Sequence, residues 1–272
     1  MDKSIHTASL VTIIRQIPLL NDTPNQEIRI RPLGGLTNQN YEVVTPALHA
    51  VLRIPQHSTH AFINRHHEKH NTQLVEQLKL APATLWWDEA QGLRLTQYIE
   101  QARPLSAQIL SEPRYLDALT HAMQQLQQSK QQFIGKLDQK AIIQRLKRYF
   151  EYCKPQQQKQ LKIAYQEALA LLDYETLFDR PLVPAHIDLV KENILVTKNK
   201  IWLIDWEYSA MSSPLWDVAI LSNSLRLRRP QSEQLLQALV TPCNKRDFEN
   251  LARFRIITAT MSFCWEVAVS NK

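Results

Sequence analysis

The feature that most constrains this chain is a change of hydrophobic rhythm at Glu100. Before it, apolar residues recur mostly with period two in short runs; after it, they recur with helical spacing in long ones. Residues 27–33 alternate apolar and polar. Short strands follow at 40–44 and 48–54, with Pro46 marking the turn between them, and 93–99 reads as another strand. Only 60–80 breaks this pattern, with Ile63, His67, Leu74 and Leu78 at helical spacing. Beyond Glu100, the spacing predicts helices over 105–130, 139–152 and 157–177. A polar loop after His186 then leads into two short strands, 193–197 and 200–204, joined by a turn at Lys198-Asn199. Three further helical segments complete the chain. The expectation is an α+β protein with a small antiparallel-sheet part over residues 1–100 and a larger helical part over 101–272.

Composition closes off several classes. Apolar residues make up 44% of the 272 residues and charged residues 21%, which fits a globular chain and excludes a disordered or fibrous one. No uninterrupted apolar run reaches the ~18 residues a membrane span needs. The stretch 5–20 is broken by Arg15 and Gln16, and reads as a short amphipathic helix rather than a signal peptide. Cys153, Cys243 and Cys264 are odd in number and form no CxxC pair, which points to a reducing, cytoplasmic setting without a zinc site. The formal charge of +6 lies wholly beyond residue 100, since residues 1–100 hold nine basic and nine acidic side chains. Basic runs at 145–148 and 226–229 come without any nucleic-acid recognition signature, so nucleic acid is not expected as a partner. The sequence gives no signal on oligomeric state.

Chemistry concentrates in the loop His186-Ile187-Asp188-Leu189-Val190-Lys191-Glu192-Asn193. Asp188 and Asn193 lie five apart, and Asp205 ends the partner strand of the hairpin. A hairpin can aim Asn193 and Asp205 into one pocket, where two hard oxygen ligands suit Mg²⁺ on nucleotide phosphates. Asp188 then stands where a substrate hydroxyl loses its proton, the division of labour found in phosphoryl transfer. Upstream, Gly34-Gly35 sits between two strands in a chain with only four glycines, where average usage of roughly 7% would give about 19. A Gly-Gly turn followed by Thr37 and Asn38 lets backbone N–H groups approach phosphates. Arg53 follows on the next strand and Glu68 fifteen residues later on the helix, a cation and a carboxylate that can act as a pair; Glu76 competes for the second role.

The segments Gly-Gly-Leu-Thr-Asn-Gln-Asn-Tyr, Val-Leu-Arg-Ile-Pro, His-Ile-Asp-Leu-Val-Lys-Glu-Asn-Ile-Leu and Ile-Asp-Trp-Glu-Tyr-Ser-Ala-Met stand in this order. Together they resemble the bacterial choline kinases, within the wider choline/ethanolamine kinase and aminoglycoside phosphotransferase group, over about residues 30–225. The resemblance implies a protein-kinase-like fold of two lobes with ATP in the cleft. It implies Asp188 as catalytic base, Asn193 and Asp205 as Mg²⁺ ligands, Gly34, Gly35, Thr37 and Asn38 near phosphate, Arg53 holding phosphate and Glu68 orienting it. It implies a hinge over 96–100, with Gln97, Tyr98 and Ile99 meeting adenine. A small cationic alcohol, choline foremost, is the implied acceptor, caged by Tyr208, Trp265 and Trp216 with Glu207 or Asp217 as charge partner; Asp217 reads better as a residue that caps or orients the catalytic segment. Two departures stand out: Ile187 occupies a position that is usually Asn or Gly, and Trp265 begins a Trp-x-x-Trp pattern whose second tryptophan is Ala268. Thiamine kinase, aminoglycoside kinase and a catalytically weak nucleotide-binding module are the alternatives. The basic second half weighs against a polycationic aminoglycoside.

Overall fold

A computed structural model describes residues 7–35, 38–56, 62–198 and 200–270. They divide into two compact units, one drawn from 1–57 with 83–99 and the other from 58–82 with 100–272. The segment 58–82, although it lies inside the first hundred residues, belongs with the second unit.

The first unit is a helix on a five-stranded antiparallel sheet. Helix α1 (Thr7–Arg15) is followed by β1 (Arg29–Gly34), β2 (Asn38–Val44), β3 (His49–Pro55), β4 (Thr84–Asp88) and β5 (Leu93–Gln97), in spatial order β1-β2-β3-β5-β4. Period-two alternation puts Tyr41, Val43, Ala50, Leu52, Leu93 and Leu95 on one face, where Leu10, Ile14, Ile17 and Leu20 cover them. Strand β4 escaped sequence reading because Leu85-Trp86-Trp87 does not alternate, and a register shift between Thr84 and Trp86 re-aims its side chains.

The second unit is mostly helical. It comprises α2 (Arg65–Gln77), β6 (Arg103–Pro104), α3 (Ala107–Leu110), α4 (Pro113–Gln127), β7 (Lys136–Leu137), α5 (Gln139–Tyr152) and α6 (Pro155–Leu172). After these come β8 (Val183–Ala185), β9 (Ile194–Val196), β10 (Ile201–Leu203), β11 (Ala210–Ser212), α7 (Pro214–Ser224), α8 (Arg229–Leu239) and α9 (Lys245–Ser270). Caps explain the boundaries. The Asn64 carboxamide accepts the His67 N–H at 3.1 Å and the Asp138 carboxylate accepts the Ala141 N–H at 3.0 Å. The stretch 105–130, expected as one helix, is two: Pro113 has no N–H to donate and opens a new helix at its first turn. The helix expected to reach 177 stops at Leu172, capped by Asp173. The predicted hairpin forms as β9 and β10, paired antiparallel with Leu203 opposite Ile194. Buried Leu119, Met123, Leu189, Trp206 and Trp216 share one apolar cluster with it, so the hairpin is held inside a helical core.

Candidate active site

The loop after β8 is fixed from both sides. Ile187 has φ of +71°, a left-handed conformation that a β-branched residue adopts only when its surroundings impose it. Asp217, in the first turn of α7, accepts the His186 N–H at 2.8 Å and the Ile187 N–H at 2.9 Å with its two carboxylate oxygens. Trp216 donates its indole N–H to the Ile187 carbonyl at 3.1 Å. Adjacent residues of one helix thus hold both backbone polar groups of one strained residue. Burial pushes the Asp217 carboxyl up to about 6, although the His186 and Ile187 N–H groups act against it. The His186 ring nitrogen Nε2 lies 2.8 Å from the carbonyl of Ile204, the residue before Asp205. Burial drops the His186 imidazole to about 4, so the ring is neutral at pH 7 and Nε2 carries the proton that Ile204 accepts.

Asp188, Asn193 and Asp205 come together as expected from the hairpin. The Asn193 carboxamide donates to the Asp188 carbonyl at 2.9 Å and to its carboxylate at 3.1 Å. The Ile204 N–H donates to the Asn193 carbonyl at 2.9 Å, which ties the end of β10 to the start of β9. Asp205 follows with φ of +65°. Burial first, and then the charge of Asp205, lift the Asp188 carboxyl to about 7, with Asn193 pulling the other way. A half-buried carboxylate with a pKa near neutrality is suited to take a proton during reaction.

Around Asp205 the structure adds residues that sequence reading did not assemble. Carboxylate oxygens of Glu68, Asp205 and Glu207 lie within 4.8 Å of one another. Arg65 joins them, 2.7 Å from Glu68 and 3.5 Å from Glu207. Its position three residues before Glu68 on α2 is the signal that was available. These three carboxylates are hard oxygen donors of the kind Mg²⁺ takes. Tyr149 on α5 was also missed. It is buried, and the charges of Asp188 and Glu207 act on its hydroxyl.

The expected cage residues differ in burial. Tyr208 is half-buried, and its hydroxyl takes no hydrogen-bond partner among the described residues. Burial, then Glu207, Tyr149, Asp188 and Asp205, raise that hydroxyl well above its usual range. Trp265 on α9 is half-buried, with its indole N–H likewise unpartnered among the described residues. Trp216 is corrected: it is fully buried, stands edge-on to Phe254 and holds the Ile187 carbonyl, so it positions the loop and lines no open pocket.

In the first unit, Gly35 has φ of +140°, and a Cβ there would lie 2.1 Å from the Asn38 carbonyl oxygen. Gly34 has φ of +83°, and its carbonyl accepts the Asn40 carboxamide at 3.1 Å. The turn therefore needs its glycines. The Asn38 side chain is buried at the start of β2, and Thr37 lies outside the described residues. Arg53 is buried on β3; it donates to the Gly92 carbonyl at 3.2 Å and lies 6.0 Å from the Trp87 ring centre. In the expected hinge segment, the N–H groups of Gln97 and Tyr98 are engaged by Ala83 and His49.

Comparison with known proteins bears on family and fold. The model of the phosphotransferase enzyme family matches residues 29–253. A curated relative, Protein LicA of Haemophilus influenzae, is 29% identical over 233 residues, covering 82% of this chain and 65% of the relative, so the chain spans just under two thirds of that protein's length. The crystal structure of choline kinase LicA from Streptococcus pneumoniae superposes with a TM-score of 0.81 at 25% identity, covering 96% of this chain and 90% of that one. A structure of LicA in complex with AMP gives 0.79 at 26% identity, with the same coverage. The fold is protein-kinase-like. No described helix is long and apolar enough to cross a membrane.

Proposed function

The chain belongs to the phosphotransferase enzyme family, and from that premise we propose that it is an ATP-dependent small-molecule kinase whose acceptor is the hydroxyl of a small cationic alcohol, choline foremost. The observation that carries this reading is the half-buried Asp188 carboxylate, hydrogen-bonded by Asn193 and lifted to about 7 beside Asp205. In the proposed reaction the alcohol oxygen attacks the γ-phosphorus, the bond to the ADP oxygen breaks, and Asp188 accepts the hydroxyl proton. Clamping of His186 and Ile187 by Asp217 and Trp216 fixes where Asp188 stands. Asn193 and Asp205 would hold Mg²⁺, which neutralises phosphate charge when bound; Glu68 and Glu207 reinforce the negative field there. For the first unit, the reading assigns phosphate contacts to Gly34, Gly35, Thr37, Asn38 and Arg53. Gln97, Tyr98 and Ile99 are assigned to adenine, with Ile99 offering the N–H because those of the two preceding residues are engaged.

Choline is preferred for two reasons. Tyr208 presents an aromatic ring beside Glu207, Asp188 and Asp205, the combination that attracts a quaternary ammonium, and the reading assigns Trp265 to the same cage. The likeness to proteins described as choline kinase supports the same acceptor. The test is ADP release with Mg-ATP and a panel of choline, ethanolamine, thiamine and an aminoglycoside. Turnover with choline at the highest kcat/KM is expected. Nucleotide binding without ADP release from any alcohol would overturn the enzymatic reading, and preference for thiamine or an aminoglycoside would overturn the acceptor.

A further inference from the structure

Helix α9 carries an apolar stripe that faces away from the core. Phe248, Ala252, Ile256, Ala259 and Phe263 follow one another at spacings of four or three. At 3.6 residues per turn they fall within an arc of about 80°. Ile256 is 39% exposed and Phe263 53% exposed; both alanines are exposed, and Phe248 is half-buried. A groove of about 470 Å³ runs beside the stripe, with Phe248, Ala252, Ile256 and Ala259 on one wall and α8 on the other. Large apolar side chains in line on a soluble surface mark an interaction site.

The order of residues along the stripe identifies the partner. Read from either end, it has the same sequence of types: a charge, Phe, Ala, Ile, Ala, Phe, a charge. The charges differ in sign, Lys245 at the start and Glu266 at the end, and the same arc includes both. Laying a second copy of α9 antiparallel on the first sets Phe248 opposite the second copy's Phe263 and Ala252 opposite its Ala259. It also sets Lys245 opposite Glu266, and every pairing occurs twice. Neither Lys245 nor Glu266 has an ion-pair partner among the described residues. A parallel pairing would set Lys245 against Lys245. Small alanines either side of Ile256 allow two helix backbones to approach closely. Arg255, near the two-fold axis, does not oppose its copy: its guanidinium turns inward to Asn223, Ser232 and the Leu227 carbonyl. Trp265 lies on the opposite side of α9 by helical spacing, so the stripe leaves that residue clear.

We propose that this face is an isologous two-fold interface, through which α9 of one chain pairs antiparallel with α9 of a second copy. A single helix pair about 30 Å long buries less than a standard interface of about 1,600 Å², so the proposed dimer is a weak one.

Sedimentation velocity of the full chain from about 2 to about 200 µM tests this. A shift from monomer to dimer across that range is expected. Ile256→Glu and Phe263→Glu should each weaken association at least tenfold while leaving the thermal midpoint close to that of the parent. If either variant unfolds, a charge swap carries the test. Lys245→Glu should weaken association about three- to tenfold, because it reverses two pairs at once, and adding Glu266→Lys should restore it. In a Cys243→Ser background, oxidation should cross-link Ala252→Cys combined with Ala259→Cys, and neither cysteine alone. A monomer at the highest concentration overturns the proposal. So does a dimer indifferent to Ile256→Glu and to the charge swap, or cross-linking through Ala252→Cys alone.

Discussion

Replacing Trp216 by Phe separates two roles that an aromatic residue beside a catalytic loop can have. The indole N–H is the donor for the Ile187 carbonyl, and Trp216 is fully buried. Phenylalanine keeps a ring against Phe254 and removes the donor. An unsatisfied buried carbonyl costs about 1–3 kcal/mol. The lost second ring leaves a void worth about 1 kcal/mol, at roughly 24 cal/mol per Å³. The expected destabilisation is therefore about 2–4 kcal/mol, read from urea unfolding. The catalytic effect follows from strain. Holding Ile187 at φ of +71° stores about 1–3 kcal/mol, and the Trp216 bond is one of the three that maintain it. Once it is gone, Ile187 can relax and carry Asp188 with it; a displacement near 1 Å costs about 10²-fold in rate. ADP release should show kcat lowered by about ten- to hundredfold with KM for the alcohol within twofold. If KM instead rose several-fold while kcat and the urea midpoint held, Trp216 would be touching substrate, and the loop-clamp reasoning would be wrong.

Three other perturbations probe the remaining parts. Asp188→Asn should lower turnover by about 10²–10⁴ with nucleotide affinity within twofold, measured with a fluorescent ATP analogue; undiminished turnover would remove Asp188 as the base. Gly35→Ala places a Cβ 2.1 Å from the Asn38 carbonyl at a φ of +140°, so the turn must deform. The expected outcome is a raised KM for ATP with the KM for the alcohol unchanged, and equal effects on both would deny the turn a phosphate role. The third concerns Asp247, where burial pushes the carboxyl up but the Arg180 guanidinium and the Asn244 N–H together outweigh it and hold the pKa below the usual range. The folded state then binds fewer protons than the unfolded one, so this stabilisation is present at neutral pH and lost as pH falls below about 4. Arg180→Met should lower the urea midpoint at pH 7 and flatten its dependence between about pH 5 and about pH 2; a parallel acid profile in the variant would show the pair to be inert.

Much of the architecture was legible because it rests on periodicity. The α5 boundaries follow from an Asp138 cap and a regular apolar spacing, and β1, β2, β3 and β5 follow from alternation. What stayed hidden lacked a period. Strands β6, β7, β8 and β11 are two or three residues long, too short to show alternation, and exist because a neighbouring segment offers hydrogen bonds: Met211 donates to Gly135, and Leu105 to Ile194. Helix α2 reads correctly as a helix, but nothing in its own residues announces that it packs with the second unit. That depends on Asn71, whose carboxamide donates to the Ile134 and Ser209 carbonyls far along the chain.

The site divides along the same line. Asp188, Asn193 and Asp205 were readable because their spacing around a hairpin is a local property, and the hairpin brings strand ends together wherever it forms. Their electrostatic character was not readable, because it comes from groups distant in sequence. Asp188 is raised by burial under a core to which α4, α7 and α9 contribute, and Asp205 gains Glu68 and Glu207 as neighbours only because α2 packs in this unit. Ile187 illustrates the point most sharply. It is a sequence departure, and its φ of +71° makes it a β-branched residue where Asn or Gly would accept a left-handed backbone with less strain. In the fold its N–H is taken by Asp217, its carbonyl by Trp216, and its side chain is buried. Burying an isoleucine side chain is worth about 1.5–3 kcal/mol, comparable to the about 1–2 kcal/mol cost of the left-handed conformation. The departure is therefore compatible with a rigid catalytic loop, because apolar burial and two tertiary hydrogen bonds supply what a permissive residue would have provided locally.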